Sequence, residues 1–136
     1  MKTIRKNAYE TSSSSSHSLC IATGDLTIPN VTSLLLRKGE FGWERDEHSD
    51  FGTKLRYSYT LSKGSVSDHY LEMLKEVLHE YIPTLETIEE DEESWGYVDH
   101  QSFDLIDEVF ESKQSLASFL FCGGSSIETG NDNDEY

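Results

Sequence analysis

The side chains able to do chemistry here are five histidines, two cysteines and 26 carboxylates, and their spacing decides what they can do together. Glu76-Val-Leu-His79 sets a carboxylate and an imidazole on one face of a helix, the unit from which carboxylate di-iron sites are built. Such a site takes two copies and further glutamates on facing helices. The sequence holds one copy, so the pair predicts a solvated helix face. His48 lies among acids in Asp46-Glu-His-Ser-Asp50, a polar turn that would attract a divalent cation only weakly. Ser49, His48 and Asp50 are sequence neighbours and cannot converge as a nucleophilic triad without a fold that aims them. His69 and His100 stand at expected helix starts, where an imidazole caps or meets solvent. No phosphate-binding glycine loop, nucleophile elbow or HExxH occurs. Cys20 and Cys122 lie 102 positions apart with no CxxC or zinc-type spacing. One disulfide could join them; two reduced, buried thiols suit an intracellular protein better. These patterns predict no enzyme, no catalytic residue, no metal and no cofactor.

What the chain offers instead is charge. The net charge is -15, and it is unevenly spread. Through Ser67 the balance is +2; from Asp68 onward nineteen acids face only Lys75 and Lys113, a balance of -17. Self-repulsion of that size costs stability, while the field speeds association with cations and basic proteins. It argues against direct binding to nucleic acid phosphates or anionic lipid, both of which need Lys and Arg. The densest run holds Glu86, Glu89, Glu90, Asp91, Glu92 and Glu93, and it is expected to be a solvated loop. Asp104, Asp107, Glu108 and Glu111 are expected on the outer face of a helix capped by Ser102. Trp43 stands beside Glu44, Asp46 and Glu47, and Trp95 beside Glu92 and Glu93. An aromatic anchor ringed by charge has the composition of a binding hot spot. The competing reading makes both tryptophans half-buried packing residues and the acidity a matter of solubility. The expected partner-binding set is these ten carboxylates with Trp43 and Trp95.

The elements that must position this set can be read more coarsely. A chain of 136 residues, 35% hydrophobic, suffices for one domain that buries roughly two-thirds of its unfolded surface. No apolar run approaches the length of a membrane span, and the basic start is not followed by the apolar stretch of a cleaved signal, so a cytoplasmic protein is expected. Residues 1–16, ending in the serines Ser12 to Ser16, read as a disordered leader. Residues 17–122 read as a single domain, and 123–136 as a disordered acidic tail. Leu19 and Ile21 alternate as a strand, and Val31, Leu34 and Leu35 give a short helical stripe after Pro29. Leu55, Tyr57, Tyr59 and Leu61 alternate with polar residues, which predicts a strand over Thr53–Leu61 hairpinned to the segment at Phe41. Ser67 opens the strongest helix, with Leu71, Leu74, Val77 and Leu78 inside and Pro83 as its stop. Trp95 to Val98 reads as a short strand, and the continuous apolar run Leu116 to Cys122 as a central one. The order β-α-β-β-α-β-α-β predicts a ferredoxin-like α+β sandwich, an antiparallel sheet of about five strands with two or three helices on one face.

Leu19-Cys-Ile-Ala-Thr-Gly-Asp-Leu26, a helix closing near Gly39, the hairpin, and Ser67-Asp-His-Tyr-Leu-Glu-Met-Leu74 at the head of a long helix resemble, in that order, a bacterial domain family of unknown function. The end agrees, with a helix from Ser102 and then Ser115-Leu-Ala-Ser-Phe-Leu-Phe121. The likeness spans roughly Ser18 to Cys122 and is carried by layout and apolar positions. The acidic stretch Glu86–Glu93 departs from it, since a shorter connection is expected there. The resemblance implies a fold and the company of small acidic immunity proteins that neutralise bacterial toxins; it implies no catalytic residues. The expected function is therefore an acidic inhibitor that occludes a basic partner, a toxin first of all. The alternatives are a phage or plasmid anti-defence protein that mimics the charge of DNA to block a DNA-binding defence protein, and a small structural or adaptor subunit.

Overall fold

The spacing of Leu74, Val77 and Leu78 builds the helix it predicts. That helix runs His69–Tyr81, all three side chains are fully buried, and it stops ahead of Pro83, whose ring permits no further turn. It opens one residue later than a Ser67 cap would place it, yet the Ser67 hydroxyl still accepts from the N–H of His69 at 3.1 Å. The computed structural model describes residues 2–9, 15–41, 46–65, 67–98 and 106–131. Its elements are β1 (Lys2–Tyr9), β2 (Ser15–Thr23), β3 (Ser33–Leu36), β4 (Glu40–Phe41), β5 (Asp46–His48), α1 (Phe51–Gly64), α2 (His69–Tyr81), β6 (Thr87–Glu90), β7 (Tyr97–Val98), α3 (Ile106–Val109), α4 (Lys113–Phe121) and β8 (Ser126–Asn131).

β1, β2, β8 and β5 lie in that order in one antiparallel sheet. Leu19 of β2 pairs with Ile127 of β8, and both are buried, so the face carrying Leu19, Ile21 and Ile127 is the one turned to the core. Two parallel two-stranded ladders, β3 with β6 and β4 with β7, stand apart from it. The class is mixed α+β, as the sequence predicts. A five-stranded ferredoxin-like sandwich is not what these pairings build, because the described strands divide among three sheets and two of the pairings are parallel.

Five expectations about elements are overturned. Residues 2–9, expected to be leader, form β1 and pair along their length with β2, from Lys2 opposite Thr23 to Tyr9 opposite Ser16. The expected tail supplies β8, which lies between β2 and β5. Val31 to Leu35, expected to be helical, forms no helix, and Ser33–Leu36 is a strand paired with β6. The expected strand over Thr53–Leu61 lies inside α1, and the expected strand over Leu116–Cys122 is α4 and its C-cap.

The cause of the last two is burial on nearly every side. In α1 not only Leu55, Tyr57, Tyr59 and Leu61 are buried but also Lys54, Ser58, Thr60 and Ser62. Those hydroxyls are satisfied by the helix itself: Ser58 donates to the carbonyl of Lys54, Thr60 to that of Arg56 and Ser62 to that of Tyr59. Asp50 caps the start, accepting from the N–H of Thr53 at 2.9 Å and its hydroxyl at 2.8 Å. Partial burial works against the Asp50 carboxylate, but these bonds hold it below the usual range. Lys54, 1% exposed, donates from Nζ to the carbonyls of Cys122 at 3.0 Å and Ser125 at 3.1 Å. Burial pushes its pKa down. The Ser125 hydroxyl then donates to the carbonyl of Ser118 and accepts from the N–H of Ala22, so α1, α4, β2 and the approach to β8 meet at one polar knot. Aromatic contacts close the space around it, with the Phe121 ring 5.5 Å from Phe51 and 5.7 Å from Tyr81. Both cysteines are free, Cys122 buried and Cys20 half-buried. No helix among the described residues is long and apolar enough to cross a membrane.

Candidate functional site

The two parallel ladders are consecutive stretches of the same pair of chain segments. Three residues, 37–39, separate β3 from β4, whereas six, 91–96, separate β6 from β7. The segment from Asp91 to Gly96 therefore bulges from the ribbon by three residues relative to its partner. Its own bonds fix it. The N–H of Asp91 donates to the carbonyl of Leu36 at 2.8 Å, and the N–H of Lys38 donates to the Ser94 hydroxyl at 3.0 Å. That hydroxyl donates back to the carbonyl of Asp91 at 2.6 Å. Arg37 Nε lies 3.4 Å from the Asp91 carboxylate. At the far end, a Cβ on Gly96 would sit 2.5 Å from the carbonyl oxygen of Gly39, so the two backbones approach as closely as they do only because Gly96 has none. The N–H of Gly39 is itself tied to the Thr60 hydroxyl of α1 at 3.0 Å.

This frame sorts the acidic run into two groups. Glu90 points inward. Its carboxylate lies 2.7 Å from Lys75 Nζ on α2 and 3.7 Å from Lys63 on α1, and it accepts from the hydroxyl of fully buried Tyr59 at 3.0 Å. The Lys75 bond, chiefly, holds Glu90 below the usual carboxylate range against its partial burial. Burial and the bond to Glu90 together push the Tyr59 phenol above the usual tyrosine range. Glu90 and Asp91 are thus framework, not a partner-facing surface, and the run is not the expected solvated loop. Glu86, Glu89, Glu92 and Glu93 remain exposed. Trp95 is exposed to 70%, carried outward on the bulge beside Glu92 and Glu93.

The outer face of the ribbon belongs to the same site. Ser33, Leu35, Thr87 and Glu89 point to solvent, while Leu34, Leu36, Ile88 and Glu90 turn inward. Leu35, opposite Glu89 in the ladder, is 48% exposed. Among the described residues, Leu35 and Trp95 are the large apolar side chains left exposed, and both lie on this ribbon and its bulge.

The second expected acidic patch is less coherent. α3 spans only Ile106–Val109, so Asp107 and Glu108 are helical and Glu111 lies beyond its end. Asp107 is exposed and accepts from the Tyr70 hydroxyl at 3.2 Å, a bond that raises the Tyr70 phenol. Glu108 is half-buried and its carbonyl accepts from the Ser115 hydroxyl. Glu111 is exposed and borders a cleft of about 480 Å³ that also involves Tyr81 and Ser118. Asp104, Trp43 and His100 lie outside the described residues.

His48 lies in β5, and Asp50 is engaged as the α1 cap; His69 and His79 are exposed on α2. Among the described residues, no three His, Cys, Asp or Glu side chains are grouped so as to hold a metal ion. Sequence reasoning missed Leu35, Lys63, Lys75, Ser94 and Gly96 as parts of the site. None carries a local signal, since their roles depend on β3 and β6 being neighbours. Comparison of the chain with protein-family models, curated proteins and solved structures gives no match.

Proposed function

We propose that this protein is an acidic protein-binding inhibitor that neutralises a basic partner by steric and electrostatic occlusion, in the manner of an immunity protein against a bacterial toxin. The observation that carries the reading is Trp95, 70% exposed on a bulge pinned at both ends and flanked by the exposed Glu92 and Glu93. An exposed aromatic on a fixed loop contributes contact area without the ordering cost of a flexible one. The acids around it speed encounter with a cationic surface and repel anionic ones. The partner is a basic cytoplasmic protein whose arginine and lysine sites serve a phosphate-bearing substrate; nucleic acid and membrane are not bound directly. A second reading, the anti-defence protein that mimics DNA, is favoured by one observation: Glu89 sits on a strand and Glu92 and Glu93 on a pinned bulge, and mimicry of duplex charge requires fixed carboxylates.

The test is capture of the bound protein from the native host, followed by association kinetics at two salt concentrations. Replacing Glu86, Glu89, Glu92 and Glu93 with glutamine is expected to slow association about ten-fold or more at low salt, within the range that electrostatic steering supplies. Trp95→Ala is expected to act mainly on dissociation. A captured partner without a basic surface, or a glutamine variant that associates as fast as the parent at low salt, overturns the reading.

A further inference from the structure

β3 and β6 are joined by bonds that use only alternate residues of β3. The carbonyl of Thr32 accepts from Thr87 N–H and that of Leu36 from Asp91 N–H, so Thr32, Leu34 and Leu36 address β6. By the alternation of a parallel ladder, the N–H and C=O groups of Ser33 and Leu35 point the other way, out of the ribbon. Both residues are exposed. Among the described residues no strand pairs with this side of β3, and a two-stranded parallel ladder with an open edge and an open outer face is an unusual arrangement, because parallel sheets ordinarily have both faces covered.

We propose that the open edge of β3 is a strand-docking site, and that its occupant is an extended segment of a protein partner carrying Lys or Arg at alternate positions. Main-chain bonds to Ser33 and Leu35 would hold the segment, and side-chain alternation would decide which segment is accepted. Alternate residues of the added strand share the outer face with Leu35 and Glu89, where an arginine or lysine beside Ser33 or Leu35 is long enough to reach toward Glu89 on the next strand. The exposed Glu92, Glu93 and Trp95 lie further along the same ribbon, past the C-terminal end of β3, and extend the contact for a segment longer than the strand itself. A second copy of this chain is the wrong occupant. Its net charge of -15 meets an acidic face with repulsion. The edge also escapes the usual safeguards, since β3 reads Ser-Leu-Leu-Leu with neither a charge nor a proline within it.

This inference rests on the reading that the partner is a basic protein, and it adds the backbone mode of recognition. The probe is an octapeptide of alternating arginine and valine, compared with a block peptide of four arginines followed by four valines. Binding to the full chain is followed by titration, and amide exchange is followed by NMR. The alternating peptide is expected to bind at least ten-fold more tightly and to slow exchange at the Ser33 and Leu35 amides at least ten-fold. The amides of Leu34 and Leu36, already bonded to β6, should change far less. Leu35→Pro deletes the outward N–H and leaves the inward ladder intact, so it should weaken the alternating peptide about ten-fold with little change in thermal unfolding. Failure of the alternating peptide to bind, binding without protection at Ser33 and Leu35, or equal affinity for both peptides overturns strand docking. If Leu35→Pro does not fold, the exchange measurement on the parent protein decides alone. The parent reading fails separately. If Glu89, Glu92 and Glu93 replaced by glutamine still leave tight binding at low salt with Ser33 and Leu35 protected, the edge stands and acidic capture does not.

Discussion

The knot around Lys54 and the ribbon around Glu90 both draw a charge out of water, and they compensate it differently. Lys54 is 1% exposed and both of its hydrogen bonds go to main-chain carbonyls. One of them is Cys122, the C-cap of α4, where the helix dipole presents its negative end. The cation there secures a chain crossing. Glu90 keeps one fifth of its side chain exposed and faces two lysines and a phenol on two helices. That carboxylate fixes the ribbon against α1 and α2 and leaves its neighbours Glu89, Glu92 and Glu93 exposed. A chain of net charge -15 thus neutralises the acid needed for architecture and exposes the acids that can act on something else. The difference also separates stability from recognition, because the knot can be damaged without touching the binding face and the face can be recharged without touching the knot.

Four variants would break or sharpen that separation. Leu74→Ala lies behind both regions, fully buried in α2, and is expected to cost about 2–5 kcal/mol through lost transfer energy and the cavity left behind. Denaturant unfolding measures it, and a near-neutral result would make the α2 stripe a surface. Lys54→Met removes two charge-assisted bonds and strands two carbonyls, for a loss of about 3 kcal/mol at neutral pH. Its pH dependence is the sharper test. Because the folded pKa lies below the ordinary lysine value, the unfolded chain holds the proton more tightly, so parent stability rises as pH climbs through the folded pKa towards that value. The methionine variant should lack this rise.

Glu90→Gln is expected to cost less, about 1 kcal/mol, since Lys75 and Lys63 are partly solvated and water screens the pair. Stability rises with pH here as it does for Lys54, but in the acid range and because folding favours the charged form of Glu90, whereas it disfavours that of Lys54. The folded pKa of Glu90 is depressed, so its contribution is complete above the unfolded carboxylate pKa and is lost as pH falls through the folded one. Acid titration of stability for parent and variant should therefore converge at low pH. Persistent separation there would mean that Glu90 acts by packing. Smallest of all, Glu92 and Glu93 replaced together by glutamine should change stability by no more than about 0.5 kcal/mol, with a slight gain as repulsion is relieved. A loss of several times that amount would make the bulge part of the framework and dissolve the comparison.

Half-buried elements were legible from the residues. Leu74, Val77 and Leu78 needed only the helical period, with Pro83 as a stop, and Leu19 and Ile21 needed only alternation. The resulting α+β class was legible too, as was Trp95 among acids. Elements buried on nearly every side were not. In α1 the alternation of Leu55, Tyr57, Tyr59 and Leu61 imitates a strand because Ser58 and Thr60 between them are buried as well, satisfied by carbonyls one turn back. The apolar run of α4 carries no period for the same reason.

The sequence by itself determined where charge accumulates, that an aromatic stands within it, and which helix has one wet face, since these follow from composition and local spacing. Only the tertiary structure decided that Lys2–Tyr9 and Ser126–Asn131 join β2, and that Glu90 turns inward while Glu89 and Glu92 face solvent. Those outcomes depend on partners far along the chain. Glu90 differs from its neighbours only in having Lys75, Lys63 and Tyr59 behind it, and an acid's free energy depends on what it faces, which the order of residues does not state.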